Sequence, residues 1–139
     1  MTGGLGVEKS VEVVNLTTAR SGPPLPWKFS HHCIAKMGSR YKDHVIMIGG
    51  RKHPNRTLIG AGSAWSWTHG PNLWQNGGRT SHSCTHIKHN NGSHYVIVAG
   101  GYSNVSQSTS EILNTDLCNE HACPTSSWYP GEDFCRTLP

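Results

Sequence analysis

The residues best suited to chemistry in this 139-residue chain are ten histidines and five cysteines, of which five histidines and four cysteines gather in three places. His31-His32-Cys33 and His82-x-Cys84-x-His86 carry nitrogen and sulfur atoms of the kind that zinc takes. Alternate residues of a strand share a face, so His82, Cys84 and His86 would point one way. Along an extended strand, however, they spread over roughly 13 Å. A single zinc ion does not reach all three without a bend, so no metal site is assigned and no cofactor is expected. The third cluster is Cys118, His121 and Cys123. Four residues separate the two cysteines, enough for a turn between strands, and a Cys118–Cys123 disulfide is preferred there over a metal. Nucleophilic catalysis has no support. There is no Gly-x-Ser-x-Gly elbow, and no pair among the eight acidic residues is placed to flank a substrate. The chain reads as non-enzymatic, with no catalytic residues.

The elements that must position these residues recur along the chain. Gly-Gly doublets at Gly49-Gly50 and Gly100-Gly101 stand 51 residues apart, and His44-Val-Ile-Met-Ile before the first matches His94-Tyr-Val-Ile-Val-Ala before the second. The same offset carries His31 onto His82 and Cys33 onto Cys84. Another doublet, Gly3-Gly4, precedes Ser10-Val-Glu-Val-Val-Asn-Leu, which echoes Ser110-Glu-Ile-Leu-Asn-Thr-Asp-Leu. A fixed period near 50 residues signals a repeat architecture. Each copy reads as four short strands: residues 28–36, 45–48, 58–64 and from 65 on in one, and 81–88, 95–99, 110–115 and 128–129 in the next. Short apolar runs stopped by glycine are typical of buried strands. No segment keeps a helical period for three turns, and sixteen Gly and eight Pro fall between the apolar runs, as all-β turns require.

At these residues the chain resembles the kelch repeat. The matching pieces are Val96–Gly101, Ser110-Glu111, Trp67, Gly70-Pro-Asn-Leu73 and Arg79-Thr-Ser-His82. The middle copy departs from the pattern, with Leu58-Ile-Gly-Ala-Gly in place of Ser-x-Glu. The first copy has Ala19 where Trp is expected and Lys28 where Arg is. The resemblance implies an all-β fold of β-propeller blades, each a four-stranded antiparallel sheet, in an incomplete propeller of about two and a half blades. Residues 1–27 would be a partial blade, 28–80 a full blade and 81–139 a full blade with a cysteine-containing end. The frame predicts a segment of a larger protein, completed by further blades or by self-association. In such a stack Cys33 and Cys84 hold equal places in adjacent blades. Packed sheets lie roughly 10 Å apart and a disulfide needs Cα atoms within about 7 Å, so these two are expected not to pair. Cys135 is then left unpaired or bonded outside the chain. Trp65, Trp67 and Trp128 are expected between blades.

Composition narrows the partners. A net charge of +4 with only 14% charged residues and no long basic run argues against nucleic acid. No apolar stretch is long enough to span a membrane. Four Asn-x-Ser/Thr sequons, at Asn15, Asn55, Asn91 and Asn104, exceed chance mildly among nine asparagines and, with the cysteines, favour a glycosylated, extracellular protein over a cytoplasmic one. Loops 51–57 and 102–109, and connections 26–30 and 74–80, should emerge on one side of the blades. They carry Arg51, Lys52, Arg56, Trp74, Gln75, Arg79, Tyr102 and Gln107, residues suited to protein or glycan contacts. The leading expectation is a binding module. An intracellular kelch adaptor, for ubiquitin-ligase substrates or actin, is the alternative. A galactose-oxidase-like copper enzyme segment is a third possibility, although Tyr41, Tyr95, Tyr102 and Tyr129 form no motif that suggests copper ligation.

Overall fold

The computed structural model describes residues 12–14, 19–21, 24–27, 30–38, 44–61, 66–75, 77–118 and 128–131. These residues are all-β apart from one 3₁₀ turn, Thr115–Leu117. A hairpin of β1 (Glu12–Val14) and β2 (Ala19–Ser21) comes first. Next, β3 (Cys33–Lys36), β4 (Val45–Ile48), β5 (Thr57–Ala61) and β6 (Ser66–His69) pair in chain order as a four-stranded antiparallel sheet. The second sheet repeats this plan with β7 (Ser83–Lys88), β8 (His94–Ala99), β11 (Ser110–Asn114) and β12 (Trp128–Pro130). A miniature hairpin, β9 (Tyr102–Ser103) with β10 (Val105–Ser106), is inserted between β8 and β11. Both four-stranded sheets are meanders with the form of propeller blades, and they do not close into a barrel.

The apolar runs became second strands because those strands are covered on both faces. Ile46 and Ile48 pack into the layer shared with the second sheet, while Met47 packs the other way against Leu25 and Leu58. In β8, Val96 and Val98 join the shared layer, and Tyr95 and Ile97 pack on the far face with Ile112 and Tyr129. A strand buried on both faces needs an unbroken apolar run rather than alternation. Ala35 and Ile59 from the first sheet, and Leu113 and Trp128 from the second, complete the layer between them. Trp67 packs half-buried on the far face of the first sheet, in the cluster that Leu25 and Trp27 also join. Trp65 lies outside the described residues.

The doublets mark where loops cross. Gly49 and Gly50 have φ of 63° and 113°, a left-handed region that favours glycine. At Gly50 close approach adds a second requirement. A Cβ there would lie 2.7 Å from the Ser30 carbonyl oxygen, and the Gly50 N–H donates to the Arg79 carbonyl at 3.0 Å.

The two sheets are out of step by one residue in their first strands. Cys33 pairs with Ile48, the residue before one doublet, whereas Ser83 pairs with Ala99, the residue before the other. Cys33 thus corresponds to Ser83, and His31 to Ser81, both of which take positive φ, 57° and 52°. This corrects the equal placement of Cys33 and Cys84. Equal positions in stacked sheets put both side chains on the same face, one across the shared layer and one away from it. Side chains alternate along a strand, so a slip of one residue turns Cys84 back toward Cys33. The two form a disulfide with a Cα–Cα distance of 6.0 Å, against the expectation that they stay apart. The 10 Å spacing of flat packed sheets does not apply at this edge, because β3 and β7 come into direct contact, as the first strands of fan-like blades converge. Cys118 is also disulfide-bonded. Its partner lies outside the described residues, as do Cys123, Cys135 and His121.

Candidate binding groove at the loop face

Three connections meet at one end of the sheets: β4 to β5, β6 to β7, and β8 to β11. Their backbones are stitched together. Leu73 N–H donates to Asn55 O at 2.8 Å, Arg79 N–H to Pro54 O at 2.7 Å, and Thr80 and Tyr102 exchange both main-chain bonds at 2.9 and 3.0 Å. Beneath them lies a buried ion pair. Arg79 Nε donates to Glu111 Oε2 at 2.8 Å, and both side chains are 0% exposed. The rest of the Arg79 guanidinium donates to Gly100 O, Thr109 O and Thr109 Oγ1 at 2.8–2.9 Å. Glu111 Oε1 accepts from the main-chain N–H groups of Trp74 and Gln75 at 2.5 and 3.3 Å. One carboxylate therefore ties the β6–β7 connection to the second sheet, and one guanidinium ties the β8–β11 loop to both. A buried charge is tolerable only when it is paired and its remaining hydrogen-bonding capacity is used, as here.

This support leaves a groove of ≈ 310 Å³ at the surface. Arg51 and Pro54 form one wall, Gly77 and Thr80 the floor between sheets, and Tyr102, Ser103 and Asn104 the opposite wall. The two loop classes named from the sequence thus do share a face. Arg51 and Lys52 are exposed there, Tyr102 is 52% exposed and Trp74 56%. Gln75 and Gln107 are half-buried and bonded to each other through their amides at 3.2 Å, a brace between two loops. Arg56 is exposed but turned to the first sheet's far side, its guanidinium 5.4 Å from the Trp27 ring centre. Arg79 does not belong to any contact surface. It is an interior residue, because the carboxylate of Glu111 lies beneath its loop.

Sequence reasoning did not find Thr80, Ser103 or the anchoring role of Glu111. The Ser-x-Glu element flagged Glu111, but nothing in a linear chain pairs it with a cation 32 residues earlier. Of the sequons, Asn55 is half-buried in the stitched loops, and Asn91 is exposed in the β7–β8 turn at the opposite end. Asn104 is exposed at the apex of the β9–β10 hairpin with φ of 62°, a conformation Asn tolerates. Asn15 lies outside the described residues.

Cys33, Cys84, His82 and His86 of these clusters have other partners. Cys84 is in the disulfide, and His82 Nε2–H donates to Ile48 O at 2.8 Å. Burial pushes His82 down to about 4, with the charges of Arg79 and His32 adding to the effect against the opposing hydrogen bond. His86 Nε2 shares a 2.7 Å hydrogen bond with His94 Nδ1, and the rings stack at 4.9 Å. Burial, then the neighbouring His94 and Lys36, lower the His86 pKa. Among the described residues, no three His, Cys, Asp or Glu side chains are grouped to hold a metal ion. No described helix is long and apolar enough to cross a membrane. The disulfide fits an oxidising, extracellular setting. No protein-family model matches the chain, and no curated protein matches it at a significant level.

Proposed function

We propose that this chain is a non-enzymatic binding module of a secreted protein, in which kelch-type blades act as scaffold and the loop-face groove takes a protein or glycan ligand. One observation carries the reading: three connections from two sheets, locked from below by Arg79 and Glu111, leave Arg51 and Tyr102 open in a common groove. Rigidly held loops are where recognition resides, and Arg, Tyr and Trp supply the largest contact energies at interfaces. Cys33, Cys84, His82 and His86 are engaged in a disulfide and in hydrogen bonds, which supports binding over chemistry at those residues. Further blades or self-association would cover the outer sheet faces.

The test is to present the purified secreted protein to arrays of glycans and of extracellular proteins, with Y102A/W74A and N91Q as variants. Specific signals should vanish in the first variant and persist in the second, whose change lies at the opposite end. Signals that survive Y102A/W74A, or an absence of specific signals on both arrays, would count against the groove.

A further inference from the structure

Resting on the binding reading above, we infer that the groove takes an anionic saccharide, with the carboxylate of a hexuronic acid unit on Arg51 and its pyranose ring on Tyr102. Three features point there. The first is charge. Arg51 and Lys52 are exposed on the same loop, and no acidic residue among those described lines the groove. Two acidic side chains are described in full. Glu111 is 0% exposed and engaged with Arg79, and Asp116 follows β11, at the far end of the sheet. Among the described residues Arg51 is thus the one charged side chain that lines the groove, and a guanidinium fork matches a carboxylate in two parallel hydrogen bonds.

The second feature is the Tyr102 ring. Both main-chain groups of Tyr102 are bonded to Thr80, so the residue is held without a ligand, yet half of it is open. A rigid, exposed aromatic ring offers a flat apolar face at little entropic cost. The C–H face of a pyranose is a flat apolar surface of matching size. The third feature is the rest of the lining. Thr80 and Ser103 hydroxyls and the Asn104 amide are small groups that both donate and accept, as sugar hydroxyls require. Among the described residues Pro54 is the sole aliphatic side chain in the wall, and they offer no pocket there for an apolar peptide anchor. A volume near 310 Å³ lies at the small end for ligand sites and suits one or two sugar rings.

Binding is measured by calorimetry on secreted protein carrying S106A, which removes the sequon at the groove but keeps Asn104. The probes are a glucuronate-containing tetrasaccharide, its carboxyl-reduced counterpart and an acidic peptide. The tetrasaccharide should bind, carboxyl reduction and R51Q should each weaken it about tenfold, and Y102A should do the same while Y102F retains binding. Affinity should fall with salt. Equal binding of the reduced sugar, indifference to R51Q, or no binding into the millimolar range overturns the inference. Arg51-dependent binding of the peptide alone also overturns it, but leaves the groove as a binding site. Loss of all Tyr102-dependent binding, on these probes and on the arrays, removes both readings.

Discussion

Removing the Cys33–Cys84 bridge should be the most damaging change that leaves the groove chemistry untouched. The bond closes a loop with a sequence separation of 51 residues. The chain-entropy relation for a loop of that length gives about 4 kcal/mol of stabilisation, by restricting the unfolded ensemble. A domain of this size shifts in Tm by roughly 3 °C per kcal/mol, so C33A/C84A should melt roughly 12 °C below the parent. Each single variant already opens the loop, so C33A, C84A and the double variant should lose similar amounts. Alanine also trims two side chains that pack half-buried against the shared layer, and that term raises the loss a little. Urea titration followed by tryptophan fluorescence gives the free energy, and peptide mapping of the unreduced parent identifies the bond. Reduction by thiols is a poorer probe because Cys118 is also bridged. Two free thiols at Cys33 and Cys84 in the secreted parent would refute the one-residue register slip. A double variant as stable as the parent would refute the loop-closure reasoning.

Other perturbations test the blade join. R79M leaves the Glu111 carboxylate buried without its cation and should cost about 3–5 kcal/mol by urea titration; R79M/E111Q should recover part of that loss. G50A forces a Cβ against the Ser30 carbonyl in a left-handed backbone and should cost at least about 2 kcal/mol, more than G92A, where φ is also positive but no atom lies within 4 Å. His82 is held neutral, with its pKa depressed by burial to about 4 from the ordinary 6.5. The unfolded chain therefore binds the extra proton first. The stabilisation is complete above pH 6.5 and is lost as pH falls from there toward 4, by up to about 3 kcal/mol. H82N should flatten that stretch of the pH–stability curve measured by thermal melting.

The strand pattern was largely legible in the linear chain. The run Val45–Ile48 and the glycines after it announced a buried strand and its exit, and the same logic located β8 and β11. Pairing across the sheets was not legible. Aligning the copies at a constant offset matched both His31 with His82 and Cys33 with Cys84, so the agreement concealed a slip in β7 relative to β8. In a strand, a slip of one residue reverses the facing of every side chain, and no count of identities registers it. Arg79 failed for a related reason. In sequence it is a cation in a polar loop, and only the fold places the Glu111 carboxylate beneath it. Arg51 and Tyr102 were legible as loop residues, and both lie exposed at the groove, but the Thr80 main chain that holds Tyr102 was not legible.

The covalent link between first strands also has a mechanical consequence. It encloses all of β3 to β6 in a ring of chain between Cys33 and Cys84. A pull applied from positions outside the two cysteines passes through the sulfur atoms and bypasses the first sheet. About 170 Å of extended chain stays out of reach of that force until the bond is cut. In single-molecule stretching, the second sheet should open first, short of its full contour length by the loop that the Cys118 bridge closes, while the first contributes extension only after reduction. A protein anchored in an extracellular matrix would thereby keep one sheet folded under loads that open its neighbour.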